Sequence, residues 1–333
     1  MRNIWRILSV GMLAAMLLSG CAQTQAEVPA SEEESTEEVA YVEKVELSGV
    51  ELQDEVVALA ATPAVSSMLV PTASGTLVAQ NSQAQIDYSN TADGYVMVRY
   101  TASTTKRLKA QVKGPTTTYT YNITPGDAWT TFPLSDGNGT YQVVVYENTT
   151  GSKYATVLSQ SISVTLKDEF APFLRPNQYV DYEHADKTVA KAKELTAGKT
   201  EALDKVAAVY DFVIQNITYD KQLAATVQSG YLPVLDSVLE KKTGICFDYA
   251  ALMTGMLRSQ GVPCKLVVGY AGTAYHAWIS VWSEKTGWVD GVVYFDGTSW
   301  QRMDPTFASN GKQSSEIMRY IGDGSNYTVK YLY

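Results

Sequence analysis

Thr243-Gly244-Ile245-Cys246-Phe247-Asp248-Tyr249-Ala250 opens the stretch on which the rest of the chain turns. A helix is expected over 246–260, ended by Gly261 and Pro263. It places a cysteine in a first turn, where backbone N–H groups lack intrahelical acceptors and the positive end of the dipole favours a thiolate. Those N–H groups could equally donate to an oxyanion. Free cysteine is also among the most buried residue types, so position alone leaves a nucleophile and an inert core thiol as balanced readings.

The residues downstream shift that balance. His276 lies in the strand-like run Tyr275-His276-Ala277-Trp278-Ile279-Ser280-Val281, and Asp304 in Trp300-Gln301-Arg302-Met303-Asp304-Pro305-Thr306. A nucleophile, a base and a carboxylate that can orient the base therefore follow one another, on a helix and two consecutive strands. His276 would take the Cys246 proton and later hand it to the leaving group. Asp304 would fix the imidazole tautomer and stabilise the imidazolium. The other histidine, His184, sits in the polar stretch Asp181-Tyr182-Glu183-His184. Asp296 competes with Asp304 for the orienting role, but Asp296-Gly297 reads as hairpin chemistry. Cys264 is expected to be a buried, inert thiol. Asp248 either holds the helix start in place or simply complements its dipole.

Taken together, Gly244-Ile245-Cys246, Gly261-Val262-Pro263 with Val267 to Gly269, His276-Ala277-Trp278, and Trp300 to Asp304-Pro305-Thr306 resemble the transglutaminase-like core. Ile217-Thr218-Tyr219-Asp220 is similar to that family's lead-in to the catalytic helix, and the resemblance runs from near Lys187 to Phe307. It implies a papain-like α+β fold with Cys246 as nucleophile, His276 as base and Asp304 as its partner. Tyr219 could offer a donor to the oxyanion from its place in such a cleft. No cofactor is implied, and calcium dependence is not. Where the family often carries an arginine after the Gly-Val-Pro segment, this chain has Cys264-Lys265, which keeps the charge and loses the planar fork.

Upstream, residues 72–167 alternate apolar and polar residues in short runs. Ala84 to Tyr88, Tyr95 to Tyr100, Leu108 to Val112, Thr118 to Ile123, Tyr141 to Tyr146 and Ser161 to Leu166 read as strands, separated by turns such as Asp93-Gly94 and Asp136-Gly137-Asn138-Gly139. About seven strands at this spacing predict an all-β immunoglobulin-like sandwich, and 136–146 resembles a strand of bacterial surface immunoglobulin-like modules. The composition changes near Asp168, so 168–333 is expected to be the transglutaminase-like catalytic domain. Within it, Lys187 to Leu195, Thr200 to Asn216 and Ser237 to Lys242 read as further helices, the second capped by Thr200. Tyr327 to Tyr333 reads as a strand that completes the sheet.

The N-terminal residues read as an address. Residues 1–21 carry Arg2 and Arg6, an apolar run from Ile7 to Leu18, and Leu18-Ser19-Gly20-Cys21, which resembles the bacterial lipobox with Cys21 as the lipidated residue. That run is shorter than the roughly 20 residues of a spanning helix. Residues 22–71 are expected to be a disordered acidic tether, containing the block Ser31-Glu32-Glu33-Glu34-Ser35-Thr36-Glu37-Glu38. The net charge of −9 comes almost entirely from this segment. The folded remainder is nearly neutral, so nucleic acid has no electrostatic footprint. Two histidines and three cysteines make a zinc cluster hard to assemble.

The expected protein is an exported, lipid-anchored thiol enzyme on the extracytoplasmic face of a bacterial membrane, acting on a protein or peptide, including cell-wall peptide. Water as acceptor would make it a protease or amidase, and an amine would make it a cross-linking transferase. The competing expectation is a catalytically silent surface protein that uses the same domain as a binding module.

Overall fold

The computed structural model describes residues 68–284, 287–289, 292–295, 300–303 and 326–333. The signal segment with Cys21, nearly all of the acidic segment, Asp296 and Asp304 lie outside these residues.

Eight strands come first: β1 (Val78–Gln80), β2 (Ala84–Asp87), β3 (Tyr95–Tyr100), β4 (Leu108–Lys113), β5 (Thr118–Ile123), β6 (Thr130–Pro133), β7 (Gly139–Thr150) and β8 (Lys153–Val164). They form two four-stranded antiparallel sheets, ordered β1-β2-β3-β6 and β5-β4-β7-β8. Period-two alternation decides which side chains face inward. On β5, Tyr119, Tyr121 and Ile123 are buried, while Thr118, Thr120 and Asn122 are exposed. Ile86, Val96, Val98 and Phe132 of the first sheet share one core with Val112, Tyr121, Val143 and Val145 of the second.

Three details differ from the sequence reading. The last hairpin is far longer than expected over 141–146 and 161–166, because the first half of β8 lies at a sheet edge with none of its residues fully buried and has no apolar alternation to betray it. The short β1 and β6, Val-Ala-Gln and Thr-Thr-Phe-Pro, were not anticipated. Thr200 is not a helix cap. The second helix begins at Ala202 after Glu201, whose backbone is extended and whose side chain makes no capping bond.

The C-terminal half mixes helices and strands: α1 (Asp186–Leu195), α2 (Ala202–Asn216), β9 (Thr218–Tyr219), α3 (Lys221–Thr226), α4 (Leu235–Lys241), β10 (Thr243–Gly244), α5 (Cys246–Ser259), β11 (Cys264–Ala271), β12 (Ala274–Ser283), β13 (Gly287–Val289), β14 (Val292–Phe295), β15 (Trp300–Met303) and β16 (Tyr327–Leu332). The antiparallel sheet β13-β12-β11-β16 contains the C-terminal strand expected from its alternation. Helix α5 is buried continuously from Asp248 to Arg258 and packs against α1, α2 and α4 as well as β11 and β12. Such all-round burial requires small and apolar residues on every face, which Ala250, Ala251, Leu252, Met253, Gly255, Met256 and Leu257 supply.

One charged side chain is sunk into this core. Arg258, only 2% exposed, donates to the carbonyls of Cys264 (2.8 Å), Arg175 (2.7 Å) and Tyr333 (2.6 Å). It thereby ties the end of α5 to the first residue of β11, to the segment after the β-sheets and to the last described residue. Burial pulls its guanidinium down to about 10, with nearby Cys264 and Tyr182 pulling the other way.

An aromatic seam joins the two halves. Tyr121 of β5 stacks on Tyr179 (5.6 Å between centroids) and meets Tyr333 edge-on (5.9 Å). Tyr119 meets Tyr331 and Tyr333. Tyr179 in turn touches Phe247, the residue after Cys246, at 5.4 Å. Offset and edge-to-face contacts of this kind contribute beyond their buried area.

Candidate active site

The first turn of α5 is built from both sides. On one side, β9 and β10 pair in parallel, Thr218 with Thr243 and Tyr219 with Gly244, so the Ile217–Asp220 segment lies against the chain entering the helix. Asp220 then caps α3 by accepting from the N–H of Leu223 at 2.8 Å. On the other side, the Asp248 carboxylate reaches back to the N–H of Ile245 (2.8 Å) and accepts from the Tyr231 hydroxyl (2.8 Å). This is the reciprocal arm of a capping box, with Ile245 unable to supply the other arm. Of the two expectations for Asp248, the structure therefore assigns it to holding the helix start.

Asp248 is fully buried, and that burial pushes its carboxyl above the usual range against the pull of its two hydrogen-bond donors. An acid whose proton is held more tightly in the folded chain lends stability below its unfolded range, and that contribution is lost as pH rises through the folded value. Asp248→Asn is therefore expected to compare more favourably with the parent at pH 7 than at pH 4, as read from urea midpoints at both values. Tyr231→Phe is expected to lower stability by about 1 kcal/mol, the scale of one buried hydrogen bond, in the same assay.

His276 is positioned by strand register. It lies near the tip of the β11–β12 hairpin, directly opposite Gly269, and is 6% exposed. Its ring lies nearly parallel to that of Trp278, two residues along the same face, with centroids 6.1 Å apart. Trp278 is braced edge-on by Tyr327 at 5.2 Å. The close approach of β16 depends on Gly269, because a Cβ there would lie 2.0 Å from the Thr328 carbonyl oxygen and 2.9 Å from the Trp278 ring. Gly269→Ala should thus disturb the strand that faces His276. The expected loss is about 2 kcal/mol, measured as a fall in thermal midpoint.

Cys246, His276 and Tyr219 all line one cavity of about 410 Å³. Cys246 is half-buried and Cys264 fully buried. Cys264 lies outside this cavity and its thiol is pushed up to about 11 by burial, with the Arg258 charge and the Thr254 hydroxyl opposing. At pH 8 it is therefore almost wholly protonated as well as inaccessible, and in the folded chain its alkylation is expected to fall at least about a hundredfold below that in denaturant. Lys265, which stands where the family often has arginine, extends its ammonium 3.6 Å over the Trp288 ring and 5.1 Å from that of Phe173. It supports the back of the sheet and does not line the cavity. His184 is an exposed partner of Asp181, at 3.0 Å. Asp304 and Asp296, the two candidates for orienting His276, lie outside the described residues.

Residues 189–305 match the model of the transglutaminase-like superfamily. The chain carries a transglutaminase-like core domain. This core is 28% identical over 117 residues to the uncharacterized protein YebA of Bacillus subtilis, covering 29% of this chain and 16% of that protein. It is also 29% identical over 115 residues to protein-glutamine gamma-glutamyltransferase of Pseudomonas aeruginosa, covering 30% of this chain and 17% of that protein. The similarity thus spans about a sixth of the length of either relative. Among solved structures, a candidate cysteine protease from Cytophaga hutchinsonii aligns over 72% of this chain and 83% of its own, at 15% identity and a TM-score of 0.36. The mixed α+β architecture expected from the resemblance is present in the C-terminal half.

The transglutaminase-like core also uses residues that the sequence did not single out. Tyr231, which braces Asp248, falls in an ordinary Gly230-Tyr231-Leu232-Pro233 loop. Its aromatic ring beside a turn glycine is too common a pattern to mark it. Asn122 and Gln178 line the same cavity from outside the matched segment, and nothing local in their sequence could have announced it.

Proposed function

We propose that this chain is an exported, lipid-anchored thiol enzyme that cleaves or transfers acyl groups from peptide or protein amides. The observation that carries the reading is the convergence at one cavity of Cys246, in the first turn of α5, and His276, on β12, both of which belong to the matched segment 189–305. In this reading Cys246 Sγ attacks an amide carbonyl while His276 takes its proton and returns it to the departing amine. The first-turn N–H groups of α5, with Tyr219 beside them, receive the developing oxyanion. Asp304 completes the triad as partner of His276. A water or an amine then attacks the thioester and frees Cys246.

Hydrolysis is the default outcome, because water is the most abundant acceptor unless a cleft excludes it. The relative named protein-glutamine gamma-glutamyltransferase favours an amine acceptor as the second reading. The domain layout completes the proposal: a lipoprotein signal over 1–21 with Cys21 lipidated, an acidic tether over 22–71, an immunoglobulin-like sandwich over 72–167 and the catalytic domain over 168–333. The two four-stranded antiparallel sheets support the sandwich, while the lipobox-like motif supports anchoring at the extracytoplasmic face of the membrane.

Incubating the chain with glutamine-containing peptides and a fluorescent primary amine, and reading products by mass spectrometry, tests the function. Acid products identify a hydrolase, and amine adducts a transferase. If neither product forms and Cys246→Ala retains the chain's full biological effect, the domain is a binding module and the enzymatic reading fails.

A further inference from the structure

The cavity in front of Cys246 is not enclosed by the transglutaminase-like core alone. Asn122, on the exposed face of β5 in the N-terminal sheets, forms part of its wall, as does Gln178 from the segment linking the two halves. Gln178 Nε2 donates to the Asn122 main-chain oxygen at 2.7 Å, fixing the linking segment against the strand. The 228–231 loop closes onto the same residue. Gly230 has φ +90°, and a Cβ there would lie 2.7 Å from Asn122 Nδ2, so the contact requires glycine twice over. One residue further on, Tyr231 reaches Asp248 at the start of the nucleophile's helix.

This wall is fixed in place. The aromatic seam of Tyr119 and Tyr121 with Tyr179, Tyr331 and Tyr333 lies on the other face of the same strand, and Tyr179 and Tyr333 themselves line the cavity. The chemistry of the lining is also distinctive. Among the described residues it includes no Lys, Arg, Asp or Glu, and Asn122, Gln178, Gln228 and Ser229 stand in it beside several tyrosines. Carboxamides pair a donor with an acceptor, which matches the paired N–H and C=O of an extended peptide.

We propose that the N-terminal sheets contribute a substrate subsite, with Asn122 as a specificity-determining residue that receives an extended, uncharged segment of the peptide whose amide is presented to Cys246. This deepens the proposed function and rests on it. The sheets are in this account part of the cleft.

The test compares rates at which Cys246 is alkylated by bare iodoacetamide, which needs no subsite, with rates for short N-iodoacetyl peptide amides. The peptides are built either from Ala, Ser, Asn, Gln and Tyr or with Lys or Glu placed at each position in turn. For every variant the readout is the ratio of the peptidyl rate to the bare rate. In the parent chain that ratio should be highest for uncharged peptides. Asn122→Ala should lower it by about threefold to tenfold, the effect of one hydrogen bond. Asn122→Asp should raise the ratio for one Lys-containing peptide by about threefold, and Asn122→Lys should do so for the matching Glu-containing peptide, the scale of an exposed ion pair.

Ratios that stay flat in all three variants while bare iodoacetamide still labels Cys246 faster than Cys264 would overturn the subsite and leave the nucleophile standing. Failure of bare iodoacetamide to distinguish Cys246 from Cys264 would overturn the enzymatic reading, and the subsite with it.

Discussion

His276→Ala is expected to lower turnover of any amide that the chain processes by about a thousandfold, the middle of the range for removing a general acid–base group. Cys246→Ala is expected to leave only the uncatalysed rate. The reasoning begins with protons. A thiol attacks as its thiolate, and the nitrogen leaving the tetrahedral intermediate must gain a proton before the C–N bond can break. In the proposed mechanism His276 performs both tasks: it shares a cavity with Cys246, and its ring is supported by Trp278 and Tyr327. Burial at 6% exposure leaves its imidazole little freedom to swing away. The folded state should survive the substitution, since the strand keeps its pairing with β11. Kinetics at matched folded concentration, with circular dichroism as the control, check both statements. A loss smaller than about tenfold would remove His276 from the proton path.

Arg258→Met should have the largest effect on stability of any substitution discussed, a loss of about 4 kcal/mol. The guanidinium is stabilised by three carbonyl dipoles from three different parts of the chain. Methionine fills much of the same volume, so the expected loss is not chiefly that of a cavity. It comes from stranding three buried acceptors, each of which loses a charge-assisted bond. Arg258→Lys should recover only part of the loss, because an ammonium cannot present the guanidinium's planar set of donors. Urea denaturation of the three chains gives the ranking. Equal stability of the methionine variant and the parent would mean that the carbonyls find other donors, and that α5 is held by apolar packing alone.

Much of this architecture is legible in the sequence wherever one residue type answers one local physical demand. Alternation on β5, the 3.6-residue period of α2, and Gly261 with Pro263 after α5 all report geometry within a few residues of themselves. Cys246 and His276 are legible for the same reason, since each is marked by its own element: a helix start and a strand otherwise apolar. The first half of β8 is not, because an edge stretch with none of its residues fully buried carries no clear hydrophobic pattern. Neither are Asn122, Gln178 and Tyr231. Their roles arise from strand pairing and loop closure between segments remote in the chain, and each is an unremarkable polar or aromatic residue in its own neighbourhood. Arg258 is the sharper case: in the sequence it is one more cation near a helix C-terminus, where dipole complementarity is the ordinary explanation. Only the fold shows it buried beneath three carbonyls.

The central claim is that Cys246 is a nucleophile activated by His276. It is tested most directly by the rate at which iodoacetamide alkylates Cys246 in the folded chain at neutral pH, followed by peptide mass spectrometry in the parent and in His276→Ala, with Cys264 as internal reference. The account predicts fast labelling of Cys246 in the parent, a drop of at least about tenfold without His276, and no labelling of Cys264 in either. Equal labelling of Cys246 with and without His276 would contradict it.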